Sequence, residues 1–275
     1  MNQAVPLFVI MILVLGFVLQ PSVFALTEKK ENKEFKIPPG LSEISPGVFS
    51  LGKAKDVKGN DVEGILFVHY KDESAKQQAI GGKPPSKTLC YSFLTKGGVK
   101  WTTPEAWIVN PVNSDGLSSP FILSNIENNI AKWEDASNGI KGDSIYVNIM
   151  EGGSTTDATL TADSSSPDGA NEIYFANIAS TGVIAVTTTW YSTFSGQIVE
   201  WDQVYDDVDF NWSSSGEAGK MDFENISTHE IGHAVGMGHP SDSCTSETMY
   251  RYASNGETIK RDLNSGDVAG IDKLY

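Results

Sequence analysis

The sequence predicts an α+β domain: one mixed, twisted sheet with three main helices, preceded by a small β-hairpin. Three observations lead there. Apolar residues recur at helical spacing in three separated stretches, strand-like apolar runs lie between them, and an early turn signal joins two such runs. With 275 residues and 40% apolar content, the chain is long enough to bury a sizeable core.

Val5 to Leu19 is an almost unbroken apolar run of about 15 residues, whereas a membrane-spanning helix needs roughly 20. It ends in Gln20-Pro21-Ser22 and the small-residue site Val23-Phe24-Ala25. A signal peptide over residues 1–25, cleaved after Ala25, is the expectation. No Lys or Arg precedes the run, so an uncleaved membrane anchor is the alternative. No other long apolar stretch follows. The mature protein is therefore expected to be secreted, without stable membrane insertion.

Residues 26–86 read as an N-terminal extension or pro-segment. Leu26 to Pro39 is charged and contains Pro. Val48-Phe49-Ser50-Leu51 and Val62 to Tyr70 look like strands, and Lys58-Gly59-Asn60-Asp61 between them is a turn signal, so a hairpin is expected. Lys76 to Lys87, with Gly81-Gly82 and Pro84-Pro85, reads as a linker and places a domain boundary before residues 87–275. Beyond it Leu89 to Leu94 is strand-like. Ser119 and Pro120 read as cap and first position of a helix whose Ile122, Ile126, Ile130 and Trp133 form one apolar face. Ser144 to Met150 is a strand candidate, and Gly152 to Asn171 is a long polar loop. Strands are expected over Glu172 to Ile178, Val183 to Tyr191 and Ile198 to Val204. A second helix covers Phe223 to Val235. A third starts near Asn264, with Val268, Ile271 and Leu274 on one side and Asp267 at the capping-box position.

Composition removes some functions. The 35 Asp and Glu against 20 Lys and Arg make a surface that repels nucleic acid and anionic lipid. Cys90 and Cys244 are the two cysteines. Export permits a disulfide between them, which would remove about 5 kcal/mol of unfolded-state entropy in the loop-closure model. Two unpaired buried thiols are the alternative.

The chemistry concentrates in Thr228-His229-Glu230-Ile231-Gly232-His233-Ala234-Val235-Gly236-Met237-Gly238-His239. Two His four apart on a helix share a face and can grip one ion through their imidazole nitrogens. Glu230, next to the first, is placed to take a proton from a water on that ion. The helix must stop after His233 for the chain to return, and Gly236 accepts the left-handed conformation that ends helices. His239 then supplies a third ligand, leaving a fourth place for water, as in catalytic rather than structural zinc sites. Three of the four His in the chain lie here.

These residues resemble the metzincin peptidases, whose signature is H-E-x-x-H-x-x-G-x-x-H followed by a methionine turn. The turn would be Thr248-Met249-Tyr250, with Met249 flooring the metal site without ligating it. The ending Leu263 to Tyr275 is similar to the last helix of the matrixin branch. The resemblance implies that Asp267 supports the turn from behind, and that Gly182-Val183-Ile184-Ala185, continuing to Val186, is an edge strand on which substrate is laid. Pro240 stands where matrixins usually have Ser, and Arg251 where they have Pro in the wall of the pocket for the residue after the cut. Arg251 also replaces the extra Tyr ligand of some metzincins, with Tyr252 one position on. The matrixin pro-segment cysteine has no counterpart, since Cys90 sits in a strand-like setting.

Asp157, Asp163, Asp168 and Glu172 could supply oxygens to calcium, though their spacing fits no fixed calcium loop and a solvated acidic loop is the competing reading. Asp206, Asp207 and Asp209 are similar. His69 reads as an ordinary strand residue. Asn211-Trp212-Ser213 and Asn225-Ile226-Ser227 fit the glycosylation pattern. The resulting expectation is a secreted, monomeric zinc endopeptidase with one catalytic Zn2+, Ca2+ as a possible second ion, and peptide or protein substrates. The alternatives are an exported metal-containing binding protein without turnover, which would need Tyr252 or another group as fourth ligand, and a zinc hydrolase of non-peptide amides.

Overall fold

The long apolar runs at Val62 to Tyr70 and Glu172 to Val204 have too many consecutive buried residues for a half-exposed sheet, and they form its centre. In the structure, a computed structural model, Met1, residues 33–71 and residues 89–275 are described. The expected signal peptide and the Lys76 to Lys87 linker lie outside the described residues. The chain divides into two units, Met1–Glu31 and Asn32–Tyr275, and all that follows concerns the second. Among the described residues no helix is long and apolar enough to cross a membrane.

In chain order the strands are β1 (Glu34–Phe35), β2 (Ser42–Ser45), β3 (Val48–Lys55), β4 (Asp61–Lys71), β5 (Ser92–Phe93), β6 (Trp107–Asn110) and β7 (Gly153–Thr155). They continue as β8 (Glu172–Ile178), β9 (Val183–Ser192), β10 (Ile198–Asp206), β11 (Trp212–Ser213), β12 (Met221–Asp222), β13 (Met237–Gly238) and β14 (Tyr252–Ala253). The helices are α1 (Ser119–Asp135), α2 (Phe223–Ala234) and α3 (Ser265–Leu274). The main sheet runs β2-β3-β4-β9-β10-β8-β6-β7, with β1 added to β8 and β14 to β4. β8 is parallel to β10 and β6, whereas β9 is antiparallel to β10 and β4. The sheet is mixed, as expected.

The expected hairpin forms as β3 and β4, and β4 continues the sheet beside β9 over the register Val62↔Ser192 to Tyr70↔Val183. Gly64 makes this close approach possible: it faces Trp190 across the strands, and a Cβ there would lie 2.7 Å from the indole.

One face of the sheet packs on α1 and α2. Ile122, Ile126, Ile130 and Trp133 of α1 are buried there with Phe223, Ile226 and Ile231 of α2. The Trp133 indole N–H donates to the Thr228 carbonyl at 2.9 Å, a buried polar group thereby satisfied. The helix cap is Ser118, one residue before the expected Ser119, and its hydroxyl accepts from Phe121 N–H. α3 carries the expected capping box at Asn264 and Asp267.

Two expectations are corrected. Ser144 to Met150 is not a strand: its Ile145, Tyr146 and Val147 point into solvent, and only Ile149 and Met150 are buried. The strand in this part of the sheet is β6, bracketed by Pro104 and Pro111. Leu89 to Leu94 shortens to β5, which pairs with β13 just before the third histidine.

Candidate metal centre

α2 starts where the Asp222 carboxylate caps the Asn225 N–H at 3.0 Å. Its interior places His229 and His233 one turn apart, both fully buried. The helix stops at Val235, and Gly236 turns the chain with φ 106. Any side chain there would also strike the Val99 carbonyl, so this glycine is needed twice over. β13 then carries the chain back to His239.

The three rings converge. His233 Nε2 lies 3.1 Å from His229 Nε2 and 3.1 Å from His239 Nε2. The outer nitrogens fix the tautomers: His229 Nδ1–H donates to the Thr248 carbonyl at 2.7 Å and His233 Nδ1–H to the Met237 carbonyl at 2.9 Å. Nε2 of both these rings is thus a bare lone pair. Two such lone pairs, with His239 Nε2 brought to the same point, form an arrangement that makes sense around a cation. Nitrogens held tetrahedrally at about 2.0–2.1 Å from zinc lie about 3.3–3.4 Å apart, close to the spacing here. Burial lowers the pKa of all three, that of His233 to about 3, so they are neutral and ready to ligate.

Glu230 is fully buried beside them. Its Oε2 accepts from the Thr187 hydroxyl at 2.6 Å and its Oε1 from His69 Nδ1 at 2.9 Å. Burial pushes its carboxyl up to about 8, while the Thr187 hydrogen bond and the Lys260 charge pull it down. Lys260, also fully buried, sits with Nζ 3.5 Å from His69 Nε2 and 3.5 Å from Glu257 Oε1, and donates to the Tyr252 carbonyl. Lys260 cannot accept a proton bond, so His69 Nε2 faces it as acceptor and Nδ1 carries the hydrogen toward Glu230.

Beneath the rings Met249 is buried against Gly232 of α2. Asp267 accepts from the backbone N–H of Thr248 at 2.7 Å and of Met249 at 3.1 Å, holding the turn from behind. Cys90 and Cys244 are joined by a disulfide that ties the segment before β5 to the loop between His239 and Met249.

The structure also corrects two site expectations. Val183, Ile184, Ala185 and Val186 do not form a free edge: β9 pairs with β10 on one side and β4 on the other. His69 is not an ordinary strand residue, because it contacts Glu230 and lies 4.0 Å, ring to ring, from His229. Of the loop acids, Asp163 and Asp168 come together, joined by Glu200 of β10, with carboxylate oxygens within 4.8 Å of one another. Sequence reasoning missed Glu200, Thr187 and Lys260. Glu200 had a visible signal, a carboxylate inside an otherwise buried strand.

The matrixin family model matches residues 178–275, which include all three imidazoles, Glu230 and Met249. Human matrilysin is 39% identical over 69 residues, a quarter of this chain and 25% of that protein. The Arabidopsis thaliana metalloendoproteinases 1-MMP and 2-MMP are 44% identical over 69 residues and 38% over 76, covering 18% and 19% of their lengths. The chain thus spans a quarter or less of each of these relatives.

Proposed function

We propose, from the premise that the chain carries a matrixin-like metzincin catalytic domain, that it is a secreted zinc-dependent endopeptidase. The observation that carries this reading is the convergence of three imidazole nitrogens beside a buried carboxylate. His229, His233 and His239 would hold the ion, and when bound it would supply Lewis acidity, lowering the pKa of a water to about 7 and polarising a carbonyl.

The chain's own residues do the rest. Glu230 would accept the proton of the attacking water and pass it to the leaving amine, its burial raising its basicity for that task. Thr187 orients it through the hydrogen bond to Oε2. Met249 and Asp267 keep the floor of the site rigid. An extended substrate would lie along β9 over Val183 to Val186 only in place of β4, which holds that position in this structure.

The disulfide suits an oxidising compartment, in line with a signal peptide over residues 1–25. Residues 26–86 then form an extension ahead of a catalytic region 87–275, and the working unit is a monomer. Calcium would sit at Asp163, Asp168 and Glu200, where Glu200 Oε1 and Asp163 Oδ2 are buried without a partner.

The test is digestion of a peptide library by the zinc-loaded chain, both intact and cut between β4 and β5, with and without a chelator. Internal cleavage that stops with the chelator and returns with zinc supports the reading. Cleavage indifferent to metal removal, or confined to non-peptide amides, overturns it.

A further inference from the structure

The outer edge of β9 is the natural landing place for a peptide strand, because it runs past the imidazole cluster and Glu230. In this structure that place is taken by the chain itself. β4 lies antiparallel along β9 with Phe67 opposite Thr187, Val68 opposite Val186 and His69 opposite Ala185. Its far end is held on both sides, by Lys71 N–H to the Gly182 carbonyl at 2.9 Å and by parallel pairing of Tyr70 and Lys71 with β14. β14 begins three residues after Met249, so β4 is seated in a slot whose two walls belong to the site.

The side chains complete the closure. Phe67 stacks on His233 at 3.8 Å and meets His239 edge-on at 5.6 Å. His69 covers His229 and holds Glu230 Oε1, while Thr187 holds Oε2. Both carboxylate oxygens are therefore engaged, and the His69 imidazole stands where a water would have to hand over its proton. His229, Glu230 and His233 are 0% exposed. A substrate must bring its carbonyl within about 3–3.5 Å of the reacting groups, and among the described residues β4 covers His229, Glu230 and His233, leaving only His239 partly exposed. The same geometry explains why β4 would escape cleavage, since an imidazole rather than a water contacts the base.

We infer that β4, held by its hairpin partner β3, is a built-in occupant of the peptide-binding edge, so that the intact chain is latent and gains activity when β4 leaves. No cysteine takes part. The inference rests on the endopeptidase reading for its purpose, and its test separates the two.

A recognition sequence for a site-specific protease is inserted within residues 72–88 of the full chain, which is loaded with zinc and compared cut and uncut. A second form, Gly64→Leu in the uncut chain, pushes β4 off Trp190 without touching the site. Binding of a peptidyl hydroxamate and cleavage of a reporter peptide are both measured. Opening should improve hydroxamate binding and kcat/KM at least about tenfold, the ratio expected when a minor open state becomes the main one. A synthetic peptide of residues 46–71 should then inhibit the cut chain.

If the hydroxamate binds the uncut parent as tightly as the opened forms, or binds none of them despite bound zinc, β4 is not the occupant inferred here. If the uncut parent cleaves as fast as the cut chain, latency fails and the endopeptidase reading stands. If hydroxamate binding rises on opening but no peptide is cut, the occupancy stands and the endopeptidase reading falls. Should Gly64→Leu unfold by circular dichroism, the cut chain decides alone.

Discussion

Met249 packs its thioether against the bare backbone of Gly232, with its Cε 3.0 Å from where a Cβ would stand and the sulfur closer still. Trp133 closes the same spot at 2.7 Å. The glycine immediately before His233 is therefore what lets the turn floor the metal site. Gly232→Ala should overpack this contact, costing about 1–3 kcal/mol and weakening zinc retention. Thermal melts with and without zinc check it. An unchanged melting temperature and full zinc would show that Met249 moves aside freely.

Glu230→Gln keeps size and removes the base. In the opened chain it should retain one zinc per chain while peptide cleavage falls roughly 10²–10⁴-fold. Metal analysis beside kcat/KM separates the two effects. Parent-like turnover would remove Glu230 from the reaction.

The acidic cluster gives a pH prediction. Burial pushes the Glu200 carboxyl up to about 9, with Asp163 and Asp168 adding to the rise, and Asp163 and Asp202 are raised too. A carboxyl raised on folding contributes stability below its unfolded pKa and loses it as pH climbs through the folded value. Without calcium, stability should therefore decline from about pH 5 toward pH 9. Calcium needs the ionised forms, so it should raise the melting temperature more at pH 8 than at pH 5.5. An equal or absent calcium effect at both pH values would remove the cluster as a site.

Reducing Cys90–Cys244, or replacing both with Ser, opens a loop of sequence separation 154. The expected loss is about 2–5 kcal/mol. Because Cys244 lies between His239 and Met249, zinc affinity should fall as well. Chemical denaturation with and without reductant measures the first and competition with a chromogenic chelator the second.

The parts legible in the sequence were those set by local spacing. His229, Glu230 and His233 announce themselves because a helix puts i and i+4 on one face, and Gly236 because a left-handed residue must end that helix. β8, β9 and β10 and the three helices follow from apolar periodicity in the same way. What stayed hidden depends on contacts far apart in sequence. The His69–Glu230 bond joins residues 161 apart, and nothing in Val68-His69-Tyr70 shows which strand will lie beside it. The edge expected at Val183 to Val186 was covered for the same reason, since periodicity identifies a strand but not its neighbours. Ile145, Tyr146 and Val147 misled in the opposite direction, as apolar residues left on the surface.

In the loaded chain three imidazoles would share one ion and leave a place beside Glu230. X-ray absorption at the zinc edge of the opened, stoichiometrically loaded chain measures this directly. Three imidazole nitrogens at about 2.0–2.1 Å with one oxygen is the predicted shell; a fourth protein nitrogen, or failure to retain zinc, would contradict it.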